Sequence, residues 1–315
     1  MSNKIFAAVT IAVALVLAAV TQLIPNEYFF SAAYTVLLFV ILATAWNILG
    51  GYTGYVNFGS AAFFAIGAYT TVFLYNAFKA PLPVGIVAGT LVAGLAGLGL
   101  GYLTLRLRGV FFAIASLALA VVLYIFVVNW DYVGGARGAY VLQPRDVPFG
   151  LPRYIHLIYA VQLVMAAFAL VVARAIEKST LGRGLAAIRD DELAAECSGV
   201  PTLKLKIFST MASCALMGMA GTTFPYYLSY IEPSSAFSLS YAVNSIAMPL
   251  IGGMMSWMGP LIGAVLLGSV QQLVQVTVSS AWNLLIVGVL LVLFVTLAPN
   301  GIMGWVDAWR RRKGR

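Results

Sequence analysis

From Pro233 to Val306 the chain runs 74 residues without an Asp, Glu, Lys, Arg or His. Soluble domains carry about 25% charged residues, and no water-facing surface can be assembled from such a run. In hydrocarbon the constraint is different: a helix rising 1.5 Å per residue needs about 20 apolar residues to cross roughly 30 Å. The run therefore holds three crossings, with breaks expected at Gly252-Gly253 with Gly259-Pro260 and at Ser279-Ser280. The same measure gives one crossing each to Ile5–Asn26, Ala80–Leu105, Gly109–Trp130, Tyr154–Ala173 and Ile207–Ile231. Tyr28–Phe78 holds two, broken at Gly50-Gly51-Tyr52-Thr53-Gly54. The sum is ten helical segments. Those near 58–78 and 236–252 are polar and glycine-rich enough to be broken or re-entrant, which leaves a bundle of about 8–10 transmembrane helices. With 62% hydrophobic and 9% charged residues, the whole chain fits this description. Runs such as Leu91–Leu103 do not alternate as a membrane barrel strand must. The expectation is an all-α polytopic membrane protein with a single transmembrane domain, 1–315.

The basic residues orient it. With both termini inside, 14 of the 18 Lys and Arg face the cytosol, and only Lys79, Arg137, Arg145 and Arg153 lie outside. The net charge of +8 thus reflects topology and not nucleic-acid binding. The basic tail, 307–315, reads as an anchor near anionic lipid. The apolar run of Ile5–Asn26 outlasts a signal-peptide core and lacks a clean cleavage site, so a retained helix is expected. Cys197 and Cys214 lie in different compartments and read as packing residues.

No Asp, Glu, Lys or Arg falls within any of these spans, which disfavours proton-coupled carriers, because those place their coupling charge in the membrane. His156, the one histidine, reads as a headgroup-level polar residue. No base accompanies a buried Ser, which disfavours an intramembrane hydrolase. No G-x-x-x-x-G-K-[ST] phosphate loop is present, so any ATP and Mg must be used by partner subunits. No catalytic residue, bound cofactor or metal is expected in this chain.

The loop 174–206 concentrates 11 of the chain's 28 charged residues. Asp190 or Asp191 suits a helix N-cap, Glu192 suits the first turn, and Gly199 before Pro201 is a stop. About two helical turns lie between, with Leu193, Ala194 and Cys197 on one face. That is too short to be stable alone, so it gains order by docking. Read from periodicity alone, a solvated connector fits equally well.

The stretch Gly182-Arg183-Gly184-Leu185-Ala186-Ala187-Ile188-Arg189-Asp190-Asp191-Glu192-Leu193-Ala194-Ala195-Glu196, followed by Gly199-Val200 and Lys204/Lys206, resembles the coupling loop of bacterial ABC importer permeases. More narrowly, it is similar to the LivM-type permeases of branched-chain amino acid uptake. The resemblance spans nearly the whole chain: Gly50–Thr70, Leu105–Ile114, Gly134–Gly138, Gly252-Gly253, Gly259–Ala264 and Pro299–Gly301 look like that family's glycine-rich markers. It implies that Glu192–Gly199 docks in a cleft of an ATPase subunit, with Gly182, Arg183, Arg189, Asp190, Leu193, Ala194, Ala195 and Glu196 in or beside the contact. It further implies a second, LivH-type permease subunit, two cytosolic ATPases, an external solute-binding protein and the bacterial cytoplasmic membrane. The mechanism implied is alternating access, with hydrophobic, branched-chain amino acids as cargo. Two departures bear on cargo: Asn57 stands where the family usually has Ser, and Gly252-Gly253-Met254-Met255-Ser256 replaces Gly-Gly-x-Gly-Thr. Urea or another small amide and aromatic acids are the competing cargoes. A self-sufficient channel, a sodium-coupled carrier and a non-transporting scaffold are the competing classes.

Irregular backbone at membrane depth persists only where it is buried or lines a cavity, and such breaks can mark transport sites. Thr53, Asn57 and Ser60 in the first glycine-rich stretch, with Asn244 and Ser245 in an otherwise apolar span, are the candidates for a substrate path. Gly85/Gly89 and Gly97/Gly101 have G-x-x-x-G spacing and read as helix packing. The outer loop 131–153 suits either contact with a binding protein or plain solvation.

Overall fold

A computed structural model describes residues 26–104, 107, 109–144, 153–277 and 301–305, with isolated positions at 6, 10, 12, 16, 285, 288, 289, 291–293 and 296. The expected first crossing, the Ser279-Ser280 break, most of the last crossing and the tail 307–315 lie outside the described residues. Seven helices among those described are long and apolar enough to cross a membrane.

The core is α1 (Glu27–Thr53), N-capped by the Asn26 side chain on the Tyr28 amide. Every residue from Leu38 to Thr53 is buried. A helix apolar all round has no face to give to water and takes the centre of a bundle. Around it pack α5 (Tyr154–Glu177), α8 (Thr202–Gly221), α11 (Leu239–Gly252) and α12 (Met258–Thr277). Beyond α8 lie α2 (Ser60–Phe78) and α3 (Leu82–Thr104). On the periphery, α4 (Val110–Val128) buries Phe112, Ala113, Ser116 and Val127 and leaves Val110, Phe111, Ile114, Val122 and Phe126 exposed. That surface suits lipid tails or another apolar subunit, not water.

Small residues set the spacing of α2, α3 and α8. A Cβ on Gly67 of α2 would fall 1.9 Å from the Gly218 carbonyl oxygen of α8. On α3, Gly89 meets the Thr222 methyl and Gly97 the Cys214 Cβ, each at 2.4 Å from an added methyl. Without a hydrophobic drive inside the bilayer, such close backbone approach supplies the dispersion contacts that hold helices together. The packing role expected for the α3 glycines is thus what they perform. A second close cluster closes α11 onto α12: an added Cβ on Gly252 would lie 1.8 Å from the Gly259 oxygen, and one on Gly301 2.5 Å from the Gly253 amide.

The structure corrects three expectations. The break between the first two helices is not at Gly50–Gly54: α1 stays helical through Thr53, Gly54 takes a left-handed φ of 78°, and 54–59 is the non-helical stretch. α2 is a continuous helix of 19 residues and not a broken one. Helices also outrun the charge-free spans, so Arg174 and Glu177 lie in the last turns of α5 and Lys206 in the first turns of α8. The segment near 236–252, expected to be broken or re-entrant, is the continuous α11 of only 14 residues with Pro249 inside it, and the interruption lies before it, where α9 (Phe224–Leu228) and the four-residue α10 (Pro233–Ala236) are separate pieces. His156 is buried in the first turn of α5, its ring 4.1 Å from that of Phe30. Two 3-10 turns open the 131–153 loop. Its strand β1 (Ala139–Tyr140) pairs antiparallel with β2 (Tyr230–Ile231).

Gly67→Ala should lower stability by about 1–3 kcal/mol, the usual cost of overpacking a close contact. Gly99→Ala, with nothing within 4 Å of the added methyl, should be tolerated. Thermal unfolding of both variants in detergent checks the contrast, and equal midpoints would refute the seam.

Candidate functional site

At the basic end of the bundle, α6 (Thr180–Asp190) starts at Ser179, whose Oγ accepts the Gly182 amide at 3.2 Å. Gly182, Leu185 and Ile188 are buried, one helical stripe turned to the bundle, and Arg183 faces outward. Gly182 is small for a reason: a Cβ there would sit 2.4 Å from the Ile176 carbonyl oxygen. Asp190 is the last residue of α6, and Asp191 is the cap of the next helix, accepting the amides of Leu193 and Ala194 at 2.9 and 3.0 Å. That helix, α7 (Glu192–Cys197), ends at Gly199 with φ 83°, and the Val200 amide bonds back to the Ala195 carbonyl. Its length matches the two turns expected. Leu193, Ala194, Glu196 and Cys197 are exposed, Leu193 by 60%, while Ala195 is buried. Leu193, Ala194 and Cys197 thus leave an apolar face open on a capped, folded helix.

The loop is fastened to the bundle at several points. Arg189 donates to the Gly51 carbonyl at 3.3 Å, one of the last carbonyls of α1, which lack intrahelical partners and carry the negative end of the helix dipole. Its aliphatic stem lies over Gly54, where a Cβ would be 3.1 Å from Cγ. Glu192 turns inward to Lys206 and Tyr55. Glu177 accepts the Trp257 amide at 2.6 Å and the Tyr52 hydroxyl at 3.4 Å, joining α5, α1 and the turn before α12. Arg174, also buried, stacks its guanidinium on the Phe6 ring at 3.7 Å.

The path candidates divide. Thr53 bonds the Leu49 carbonyl, Ser60 the Asn57 carbonyl and Ser245 the Ala242 carbonyl, so those hydroxyls satisfy local backbone. Asn57 is fully buried; its Oδ1 accepts the Gly59 amide at 2.7 Å and its Nδ2 has no partner. The Asn57 carbonyl accepts Trp46 Nε1 at 2.9 Å. Trp46 lies seven residues before the end of α1, so the 54–59 segment doubles back roughly 10 Å along that helix. Asn244 faces a cavity of about 410 Å³ with Thr35, Phe39, Glu232, Tyr241 and the row Gln271, Gln272 and Gln275. Gln271 Nε2 donates to Asn244 Oδ1 at 2.8 Å. A second cavity of about 480 Å³ lies between Phe58, Ala61, Leu117, Tyr124 and Ala242. Ser234 and Ser238 line both, so the cavities flank the junction of α10 and α11.

Sequence reasoning missed Tyr55, Glu177 and the glutamine row, and it placed Lys206 in the coupling-loop stretch without its pairing to Glu192. Gln271-Gln272 was findable as a polar doublet within the 74-residue uncharged run. The ion pair of Lys206 carried no such signal, because a lysine beside an apolar run is what membrane orientation alone would place there.

A family model described as the permease component of the branched-chain amino acid transport system matches residues 28–295. The chain is 27% identical to the high-affinity branched-chain amino acid transport system permease LivM of Salmonella typhimurium, over 85% of this chain and 68% of that one. The LivM protein of Escherichia coli is 26% identical over the same shares. A probable branched-chain amino acid transport permease, LivH of Methanocaldococcus jannaschii, is 25% identical over 88% of this chain and 91% of its own. No solved structure matches.

Asp191→Ala should remove the two capping bonds and weaken α7 by about 1 kcal/mol. Faster amide hydrogen exchange at Leu193 and Ala194, restored by Asp191→Ser, is the expected readout; unchanged exchange would mean the cap does not hold α7.

Proposed function

Because the chain belongs to the family of branched-chain amino acid transport permeases, we propose that it is the membrane subunit of an ATP-driven importer for hydrophobic, branched-chain amino acids. The observation that carries this reading is the exposed apolar face of α7, held against the bundle through the Asp191 cap and the inward-turned Glu192. Two cytosolic ATPase subunits, using ATP and Mg, dock there; Leu193 and Ala194 enter their cleft, with Arg183 and Glu196 at its rim. A second, LivH-type permease subunit completes the pathway, and an external solute-binding protein delivers cargo to the far end, in the cytoplasmic membrane of a bacterium. Closure of the ATPases moves α6 and α7, and the bundle alternates its access from outside to inside.

The cavities support a path for a small polar solute. The glutamine row, Asn244 and the serines around α10 offer donors and acceptors, and Phe39 and Tyr241 offer apolar surface for an aliphatic side chain. The amide-rich lining also favours a second cargo in the same class of importer, urea or another small amide. A channel or sodium-coupled carrier would have no use for the docking face.

Leu193→Asp should abolish co-purification of the ATPase subunits and ATP-dependent uptake of labelled leucine into proteoliposomes, while thermal unfolding of the chain stays unchanged. Retained uptake would refute the docking role. Uptake in which urea competes and leucine does not would move the cargo to the amide reading.

A further inference from the structure

Displacement of α7 must reach the membrane part, and one side chain of α7 enters it. Glu192 Oε1 lies 2.6 Å from Lys206 Nζ, with the two side chains 14% and 8% exposed. The other carboxylate oxygen accepts the Tyr55 hydroxyl. Lys206 Nζ is 3.5 Å from the Tyr55 hydroxyl and 5.2 Å from the centre of its ring. That ring stands edge-on to Phe112 of α4 at 5.3 Å. Three elements meet there: the docking helix, the start of α8 and the 54–59 segment.

Burying an ion pair costs desolvation that its own attraction barely offsets, so such a pair is weak evidence for a stabilising role. Breaking one is costly, because a charge is then stranded at low dielectric. A buried pair therefore makes a poor glue and a stiff link. The segment it grips is suited to move as a unit. Gly54 gives it a left-handed joint at one end, Trp46 and Ser116 bond it near the other, and Phe58 lines a cavity three residues beyond Tyr55.

We propose that Glu192, Lys206 and Tyr55 form a clamp that transmits displacement of α7 to the 54–59 segment, and through it to Phe58, which lines the cavity. All three are positioning residues for transport, and the proposal rests on the importer reading above. The clamp separates two functions of one short helix: Leu193 and Ala194 face the ATPase, and Glu192 on the opposite side faces the membrane part.

The test uses the complete importer, reconstituted in proteoliposomes, with ATP hydrolysis and solute uptake measured in the same vesicles. Tyr55→Phe removes one hydroxyl and touches neither the docking face nor the partner. The expected result is unchanged ATPase content and hydrolysis, with uptake per ATP reduced about tenfold, the weight of one hydrogen bond to a charged group. Lys206→Glu should abolish uptake, and the swapped pair Glu192→Lys with Lys206→Glu should recover part of it. Wild-type uptake per ATP in Tyr55→Phe, together with a swap no better than Lys206→Glu alone, would overturn the clamp. Loss of the ATPase from the Tyr55→Phe complex would overturn it too, because the contact would then only shape the docking face. If the wild-type chain brings down no ATPase at all, the importer reading fails and the clamp's role goes with it.

Discussion

Close contact between backbones, made where α2, α3 and α8 carry no side chain at all, is what the remaining structure is built around. Gly67 and Gly218 face one another with no room for a methyl, and Gly89 and Gly97 bring α3 to the same helix. Lipid tails are as apolar as leucine, so a membrane bundle gains little by hiding apolar groups and must gain from packing. The seam fixes α8 relative to α2. With α8 fixed, so are Lys206 at its basic end and the place where the loop of α6 and α7 returns to the bundle.

The bilayer also governs where irregular backbone is tolerated. Non-helical chain at depth needs every polar group satisfied or a cavity to line. The 54–59 segment meets much of that demand by borrowing partners, leaving Asn57 Nδ2 unpaired: Trp46 Nε1 serves the Asn57 carbonyl, Ser116 Oγ the Phe58 amide, and Asn57 Oδ1 the Gly59 amide. The interruption between α9 and α11 meets it with serines and Glu232, as in Ser234 to Glu232 at 2.7 Å and Ser235 to the Glu232 carbonyl at 2.9 Å. The two interruptions meet at the 480 Å³ cavity, which Phe58 lines from one side and Ser234 and Ser238 from the other, so the least regular parts of the chain border its internal space.

The all-α membrane class was legible because it depends on uncharged length, a linear property of the chain. The α7 boundaries were legible for a related reason: Asp191, Gly199 and Pro201 act on their own neighbours. Glycine spacing in α3 announced close packing, though not against which helix. What could not be read depends on three-dimensional return. Gly50 and Gly51 suggested a break, yet α1 stays helical through Thr53, and the Gly51 carbonyl near its end is met from outside by Arg189, 138 residues on. Glu192 read as a first-turn acid suited to the dipole, and its partner Tyr55 stands 137 residues away. Among the path candidates, Thr53, Ser60 and Ser245 were chosen for being polar in apolar surroundings, and each proves to bond its own helix or turn. Asn244 instead bonds Gln271 of the neighbouring helix, and Asn57 bonds its own turn through Oδ1 while its Nδ2 stays unpaired, a difference that composition cannot express.

Charge placement gives the last constraint. Arg174, Glu177, Arg189, Glu192 and Lys206 all sit at one end of the bundle, and all five bond or stack on groups from α1, the 54–59 segment or the Trp257 turn. In a chain with so few ionisable groups, this layer is where an external protein can exert force through strong, directional contacts. The cavities farther along the bundle are lined almost wholly by neutral side chains, Glu232 excepted. Charged contacts thus cluster where the loop of α6 and α7 meets the bundle, while amide, hydroxyl and aromatic groups bound most of the two cavities at the α10–α11 junction.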